Sequence, residues 1–183
     1  MGHCISYARI GEAYMYQDSF KQGLEFYQKA LNIFIELYGD KHPHVALCFG
    51  NIGTCYCELG YKNQALDFYK KALKILLEIF GEQNRYVGKI CILTGAAQMR
   101  LNDYSKLALE FLQKGLKITR EIYGEQHPYM AKSYGLIGNA HENLREYKKA
   151  MEFHQKVLKI FLVMFGEHDL MSQMRTPHLD EFT

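Results

Sequence analysis

No tryptophan occurs in the 183 residues, proline appears only three times, and the charges nearly cancel at +2. The last two scarcities exclude something. So little proline in a chain that is 48% hydrophobic and 23% charged excludes collagen-like and disordered chains and fits a helical protein. The small net charge lacks the basic excess of a nucleic-acid module, so no nucleic-acid partner is expected. No apolar run of about 18 residues occurs, so no membrane-spanning helix is expected. The start, MGHCISYARI, has no apolar segment after a basic one and is not a secretory signal. Cysteine is present but unpatterned, at 4, 48, 55, 57 and 91, with no C-x-x-C pair. Cys55 and Cys57 are two apart, so on a helix they diverge by about 200° and cannot share a metal ion. The five read as small, buried, reduced side chains, which places the protein in the cytoplasm.

What the chain does have is repetition. Gly11, Gly53, Gly95 and Gly138 recur at spacings of 42, 42 and 43, each after a β-branched residue, Ile in three copies and Thr94 in the third. An aromatic-Gly pair closes each copy, as Tyr38-Gly39, Phe80-Gly81, Tyr123-Gly124 and Phe165-Gly166. The extra residue of the third copy falls near Lys106-Leu107. Each copy reads as two helices. The first helices are expected over 5–17, 45–59, 87–102 and 129–144, and the second over 20–38, 62–80, 105–123 and 147–165. In the first copy Leu24, Tyr27, Ala30, Leu31, Phe34 and Leu37 form one apolar stripe at steps of three and four.

The links read YGDKHPHVA, FGEQNRYVG, YGEQHPYMA and FGEHDLMSQ. Glycine after a helix end supplies a left-handed cap residue. Pro43 and Pro128 suit the first turn of the next helix, and Asn84 and Asp169 stand where a side-chain oxygen can cap one. His42, His44 and His127 read as surface residues of these links. A mid-helix glycine costs about 1 kcal/mol against alanine, so its fourfold recurrence implies close helix approach, with Gly23, Ala65, Ala108 and Ala150 opposite. Tyr27, Tyr69 and Phe111 are expected to fill the gap beside Tyr14 and Tyr56. In the fourth copy the pair becomes His141 and His154, read as core aromatics replaced by histidine rather than as a metal or pH-sensing pair. Residues 169–175 read as a short capping helix, and the end of the chain as a disordered tail.

In the second copy, Phe49-x-x-Ile52-Gly53-x-x-Tyr56, then Ala65-x-x-x-Tyr69 and Ala72, resembles a tetratricopeptide repeat. The resemblance covers residues 4–165. The usual unit is about 34 residues. This longer form, with links such as YGDKHPHVA, is similar to the repeats of kinesin light chains and nephrocystin-3-like proteins, while SYGLIGNAHENLREYKKAMEFHQK resembles repeats of polarity adaptors. The resemblance implies an all-α, right-handed α-solenoid of four helix-turn-helix repeats (4–43, 46–85, 88–128 and 131–168) in one domain over 4–168. Residues 169–183 would be a capping stub and tail.

It also implies a concave groove lined by the first helices. Helical spacing off the buried columns nominates Ile5, Arg9, Glu12 and Tyr16; Leu47, Asn51, Thr54 and Glu58; Lys89, Leu93, Ala96 and Arg100; and Lys132, Leu136, Asn139 and Asn143. Taken singly, each reads as solvated surface. The face as a whole reads as a site for a peptide or partner segment, so the expected function is a protein-interaction scaffold or adaptor. Kinesin light chain relatives often carry a paired Asn before the aliphatic residue, where this chain has Gly50-Asn51. Relatives that bind chaperone C-termini use a Lys/Asn/Asn/Lys/Arg clamp. Asn51 and Lys89 match it, but Ile5, Arg9 and Leu93 do not, so that co-chaperone reading is incomplete. Weak self-association through solenoid end faces is a further reading, as for a fragment of a larger array.

No phosphate loop, H-E-x-x-H or G-x-S-x-G occurs, so no enzyme activity and no cofactor or metal is expected. MGHCIS fits an N-myristoylation pattern, but a helix starting within a few residues leaves little tail for acylation, and MGH also reads as an expression remnant. No membrane partner is expected.

Overall fold

The computed structural model describes residues 2–101 and 106–174, with side chains of 167–174 and of residue 2 left undescribed. Eight helices and no strand occur among the described residues: α1 Gly2–Tyr16, α2 Phe20–Tyr38, α3 Pro43–Glu58, α4 Lys62–Phe80, α5 Arg85–Arg100, α6 Lys106–Tyr123, α7 Pro128–Asn143 and α8 Tyr147–Met174. The expected bounds hold to within three residues except at α8, which continues past a break at Gly166. The chain is already helical at Asp169, so that residue does not stand before a helix as a cap. Residues 175–183, with the expected tail, lie outside the described residues, as do Asn102 to Ser105.

The chain divides into two compact units, residues 1–122 and 123–183. In the first, α1 packs on α2, α2 on α3, α3 on α4 and α4 on α5, with a lighter contact of α3 on α5. In the second, α7 packs on α8. This is the all-α helix-pair architecture expected from the repeats.

Local chemistry explains the helix ends. Within three copies the turn closes by two backbone bonds of the Schellman type: Ser19 N–H to Tyr14 O (2.9 Å) with Asp18 N–H to Met15 O, Tyr61 to Tyr56 (2.8 Å) with Gly60 to Cys57, and Glu146 to His141 (2.9 Å) with Arg145 to Glu142. The motif needs a positive φ, found at Asp18 (54°), Gly60 (87°) and Arg145 (60°). Between copies the glycines differ from the left-handed cap expected. Gly39 has φ 80° and ψ 171°, and Gly81 φ 71° and ψ −171°. That extended, positive-φ region is essentially open to glycine alone.

The next helices start on side-chain caps. Asn84 Oδ1 accepts from Tyr86 N–H at 2.8 Å, as the sequence suggests. His42 and His127 cap as well, their Nδ1 atoms accepting from His44 N–H (3.3 Å) and Tyr129 N–H (3.2 Å). Each also stacks, at 4.5 Å between centroids, on the aromatic that ends the preceding helix, Tyr38 or Tyr123. These link histidines are thus structural rather than simple surface residues.

Within the first, second and fourth pairs two aromatic columns run side by side. Tyr27 and Tyr69 lie on Gly11 and Gly53, and His154 lies on Gly138. One residue earlier, Phe26, Phe68 and Phe153 stack on Tyr14, Tyr56 and His141 at 5.3–5.5 Å. The expected partnering of Tyr27 with Tyr14, and of Tyr69 with Tyr56, is therefore off by one position. In the third copy Leu112, not Phe111, covers Gly95, because the extra residue ahead of Ala108 advances the register. Gln98 occupies the column held elsewhere by Tyr14, Tyr56 and His141. Its Oε1 is buried without a hydrogen-bond partner. Leu37, assigned to the buried stripe, is 51% exposed.

Candidate functional site

The face shared by α3 and α5 is built from residues three or four apart on each helix, so their side chains emerge together. Leu47, Gly50 and Asn51 of α3 meet Tyr86, Lys89, Ile90 and Leu93 of α5 around a shallow notch. Gly50 is what lets the two helices approach. A Cβ there would stand 2.8 Å from Ile90 Cδ1. The absence of a second Asn beside Asn51 thus has a packing cause: the place is filled by Ile90. Leu47, Asn51 and Leu93 are half-buried, Ile90 is buried and Lys89 is exposed. The notch therefore has an apolar floor with an amide and an ammonium at its rim.

Two turns on, the helices are tied together by charge. Arg100 Nη1 lies 2.9 Å from Glu58 Oε1 and 3.5 Å from Cys57 Sγ, and Lys62 Nζ donates to the Arg100 carbonyl oxygen. The hydrogen bond from Arg100 to Glu58 raises the guanidinium pKa above its usual value. Lys62 satisfies a carbonyl at the α5 C-terminus, where a cation is favourable. Glu58 and Arg100 are thus brought together as an exposed pair at the end of the face.

Thr54 departs from the groove reading. Its hydroxyl donates to Gly50 O (3.1 Å) and accepts from Tyr69 O–H (3.2 Å), so it serves the packing of α3 on α4. Arg9, Glu12 and Tyr16 are exposed along α1, Tyr16 by 83%. Burial, and then the Glu12 carboxylate, push the Tyr27 hydroxyl above its usual range. Ile5 is exposed and Ala96 half-buried. Lys132, Asn139 and Asn143 are exposed and Leu136 half-buried on α7, in the second unit. Sequence reasoning missed Tyr86, Ile90 and Lys62. Asn84, as a cap two residues before Tyr86, was the available signal for the first.

The histidine pair of the fourth copy does not form a site. His141 is buried, stacked on Phe153, with Nδ1 2.7 Å from Glu146 Oε2. His154 is exposed and lies against Gly138 instead. Among the described residues no group of three His, Cys, Asp or Glu is placed to hold a metal ion. The five cysteines are buried, and none is in a disulfide. Burial pushes Cys48 and Cys55 up to about 12 and Cys91 to about 11, which keeps these thiols protonated and unreactive.

The tetratricopeptide repeat model matches residues 3–78 and 94–162. Among solved structures, BtubC from P. vanneervenii aligns with a TM-score of 0.76 at 21% identity, over 88% of this chain and 64% of its own, so the chain spans less than two thirds of that relative. A kinesin-light-chain-type protein of Podosopora anserina with nearly identical TPR-like repeats aligns at 0.66 and 15% identity, over 88% of this chain and 76% of its own. Aspartyl phosphate phosphatase F from Bacillus subtilis aligns at 0.76 and 18% identity, over 92% and 43%. At such identities the likeness is one of fold. No curated protein sequence matches the chain.

Proposed function

The chain belongs to the tetratricopeptide repeat family, and from that premise we propose that it is a protein-interaction adaptor that holds a peptide or partner segment against the face shared by α3 and α5. The observation that carries this reading is the notch between those helices, where Leu47, Asn51, Lys89 and Leu93 converge. Its apolar floor is a dimple of about 10 Å³, room for one methyl-sized group against a segment lying across the face. The Asn51 amide can both donate to and accept from a peptide backbone, and Lys89 favours an acidic neighbour on the bound segment. The Glu58–Arg100 pair ends the face and offers a polar contact to either sign of charge. We take the role to be non-catalytic, and five buried cysteines outside any disulfide support work in a reducing compartment, the cytoplasm. No described helix is long and apolar enough to cross a membrane.

Affinity capture with the immobilised chain tests the reading. Wild type should recover a protein that an Asn51→Ala, Lys89→Glu double variant does not, with helicity and melting unchanged. Equal recovery by both would move the site off this face.

A further inference from the structure

Three of the four helix pairs set a lysine over their aromatics. Lys29 lies over Phe26, Lys71 over Phe49 and Phe68, and Lys156 over Tyr134 and Phe153, at 5.0–5.7 Å from the ring centroids. The corresponding lysine of the third pair is Lys114. There Cys91 stands in the column of Phe49, and Gln98 in that of Tyr56. Lys114 turns instead to the link between α4 and α5 and donates to Glu82 Oε1 at 2.8 Å. The pair fastens the link to α6. Beside it lies an open cleft of about 400 Å³, lined by Glu82 and Gln83 of the link and by Glu110, Gln113, Lys114 and Lys117 of α6.

The charges of this cleft are not all satisfied within the chain. Lys114, chiefly through its hydrogen bond, and then Lys117 hold the Glu82 carboxyl below its usual pKa. Glu82 itself is taken by Lys114. Glu110 and Lys117 are exposed and form no ion pair among the described residues. They stand two turns apart on one face of α6, about 10 Å along the helix axis. Gln113 lies between them in sequence, and its amide, like that of Gln83, both donates and accepts. The cleft thus offers a carboxylate at one end, an ammonium at the other, and amides besides.

We propose that this cleft docks an extended segment of a partner protein that carries a basic and an acidic side chain three residues apart. An extended chain advances about 3.3 Å per residue, so three residues match the separation of Glu110 and Lys117. Charges on adjacent residues of a segment reach only one of the two. Main-chain groups of the segment meet the amides of Gln83 and Gln113. Both end charges face solvent, so the contact is weak and falls off with salt. The cleft shares no residue with the notch between α3 and α5, and its assignment does not rest on the reading of that notch.

NMR titration of the isotope-labelled chain with a capped hexapeptide, Ser-Glu-Ser-Ser-Lys-Ser, tests the proposal. Saturable shifts are expected at Gln83, Gln113 and Lys117, smaller at high salt, and none with the uncharged peptide Ser-Gln-Ser-Ser-Gln-Ser. Charge reversal turns an attraction into a repulsion, so Lys117→Glu and Glu110→Lys should each weaken binding about fivefold or more. The double variant should restore it, because the two ends have only exchanged charge and the peptide docks in the opposite direction. Both residues are exposed, so melting should be unchanged in all three variants. An Asn51→Ala, Lys89→Glu variant should bind the peptide as wild type does, which separates this site from the notch. Absence of saturable shifts up to tens of millimolar peptide overturns the proposal. So do shifts at the notch in place of the cleft, equal binding of the uncharged peptide, or a double variant as weak as the single ones.

Discussion

Tyr69 lies so closely over Gly53 that a Cβ on the glycine would stand 2.7 Å from its ring and 3.2 Å from the Ala65 carbonyl oxygen. The contact joins α3 to α4 at the centre of the second pair. Gly53→Ala gains about 1 kcal/mol of helix propensity but forces a well-packed ring aside, which costs typically 1–3 kcal/mol or more. With Ala65 O also in the way, the net expected effect is a loss of about 1–2 kcal/mol, read as a lower urea midpoint with unchanged slope. An unchanged midpoint would mean that the ring can move freely.

Among the described residues, the third pair has no aromatic stack like those of its neighbours. Gln98 stands in the column of Tyr14 and Tyr56, with Oε1 buried and unbonded. Leaving such an atom unsatisfied costs about 1–3 kcal/mol. Gln98→Met keeps the side-chain length and removes the oxygen, so unfolding by urea should show a gain of about 1 kcal/mol.

Arg145 holds φ at 60° where the corresponding turn of the second copy has Gly60 at 87°. A left-handed conformation costs a residue with a Cβ roughly 1–2 kcal/mol, partly offset by the greater entropy glycine loses on folding. Arg145→Gly should therefore stabilise the fourth pair by about 0.5–1 kcal/mol. Gly60→Ala should destabilise the second by a similar amount. Melting temperatures of the two variants should move in opposite directions.

Link chemistry predicts a pH dependence. His42 Nδ1 must be unprotonated to accept from His44 N–H. Burial, and then the neighbouring His44, hold its pKa below the ordinary 6.5. The unfolded chain takes up the proton more readily, so this contribution is complete above about pH 6.5 and is lost as the pH falls through the folded value. His42→Asn retains an acceptor for the cap and does not titrate. Melting curves from about pH 8 to pH 5 should fall less steeply for the variant than for wild type.

Much of this was legible in the sequence because it is local. Glycine, proline and asparagine at the links placed the helix ends to within three residues through α7, since each acts on its own backbone. What escaped depends on neighbours far along the chain. Two adjacent aromatics, Phe26 and Tyr27, face different partners on α1, and only the packed pair shows which meets Tyr14 and which meets Gly11. The same ambiguity paired His141 with His154, while the extra residue ahead of Ala108 put Leu112 in the place expected for Phe111. Histidine capping was missed because Nδ1 accepts only in the right tautomer. For the candidate site, helical spacing put Asn51 and Lys89 on outward faces. It could not show that Gly50 draws Ile90 in to make a notch, or that Thr54 is engaged by Tyr69.

The central claim is that a partner segment lies on the face of α3 and α5. It is tested most directly by photo-crosslinking from a reactive residue placed at position 89, compared with one at Lys70, an exposed residue of α4. The account predicts a crosslinked partner peptide from position 89, competed away by excess unlabelled chain, and none from position 70. Crosslinks from position 70 alone, or equal yields from both, would contradict it.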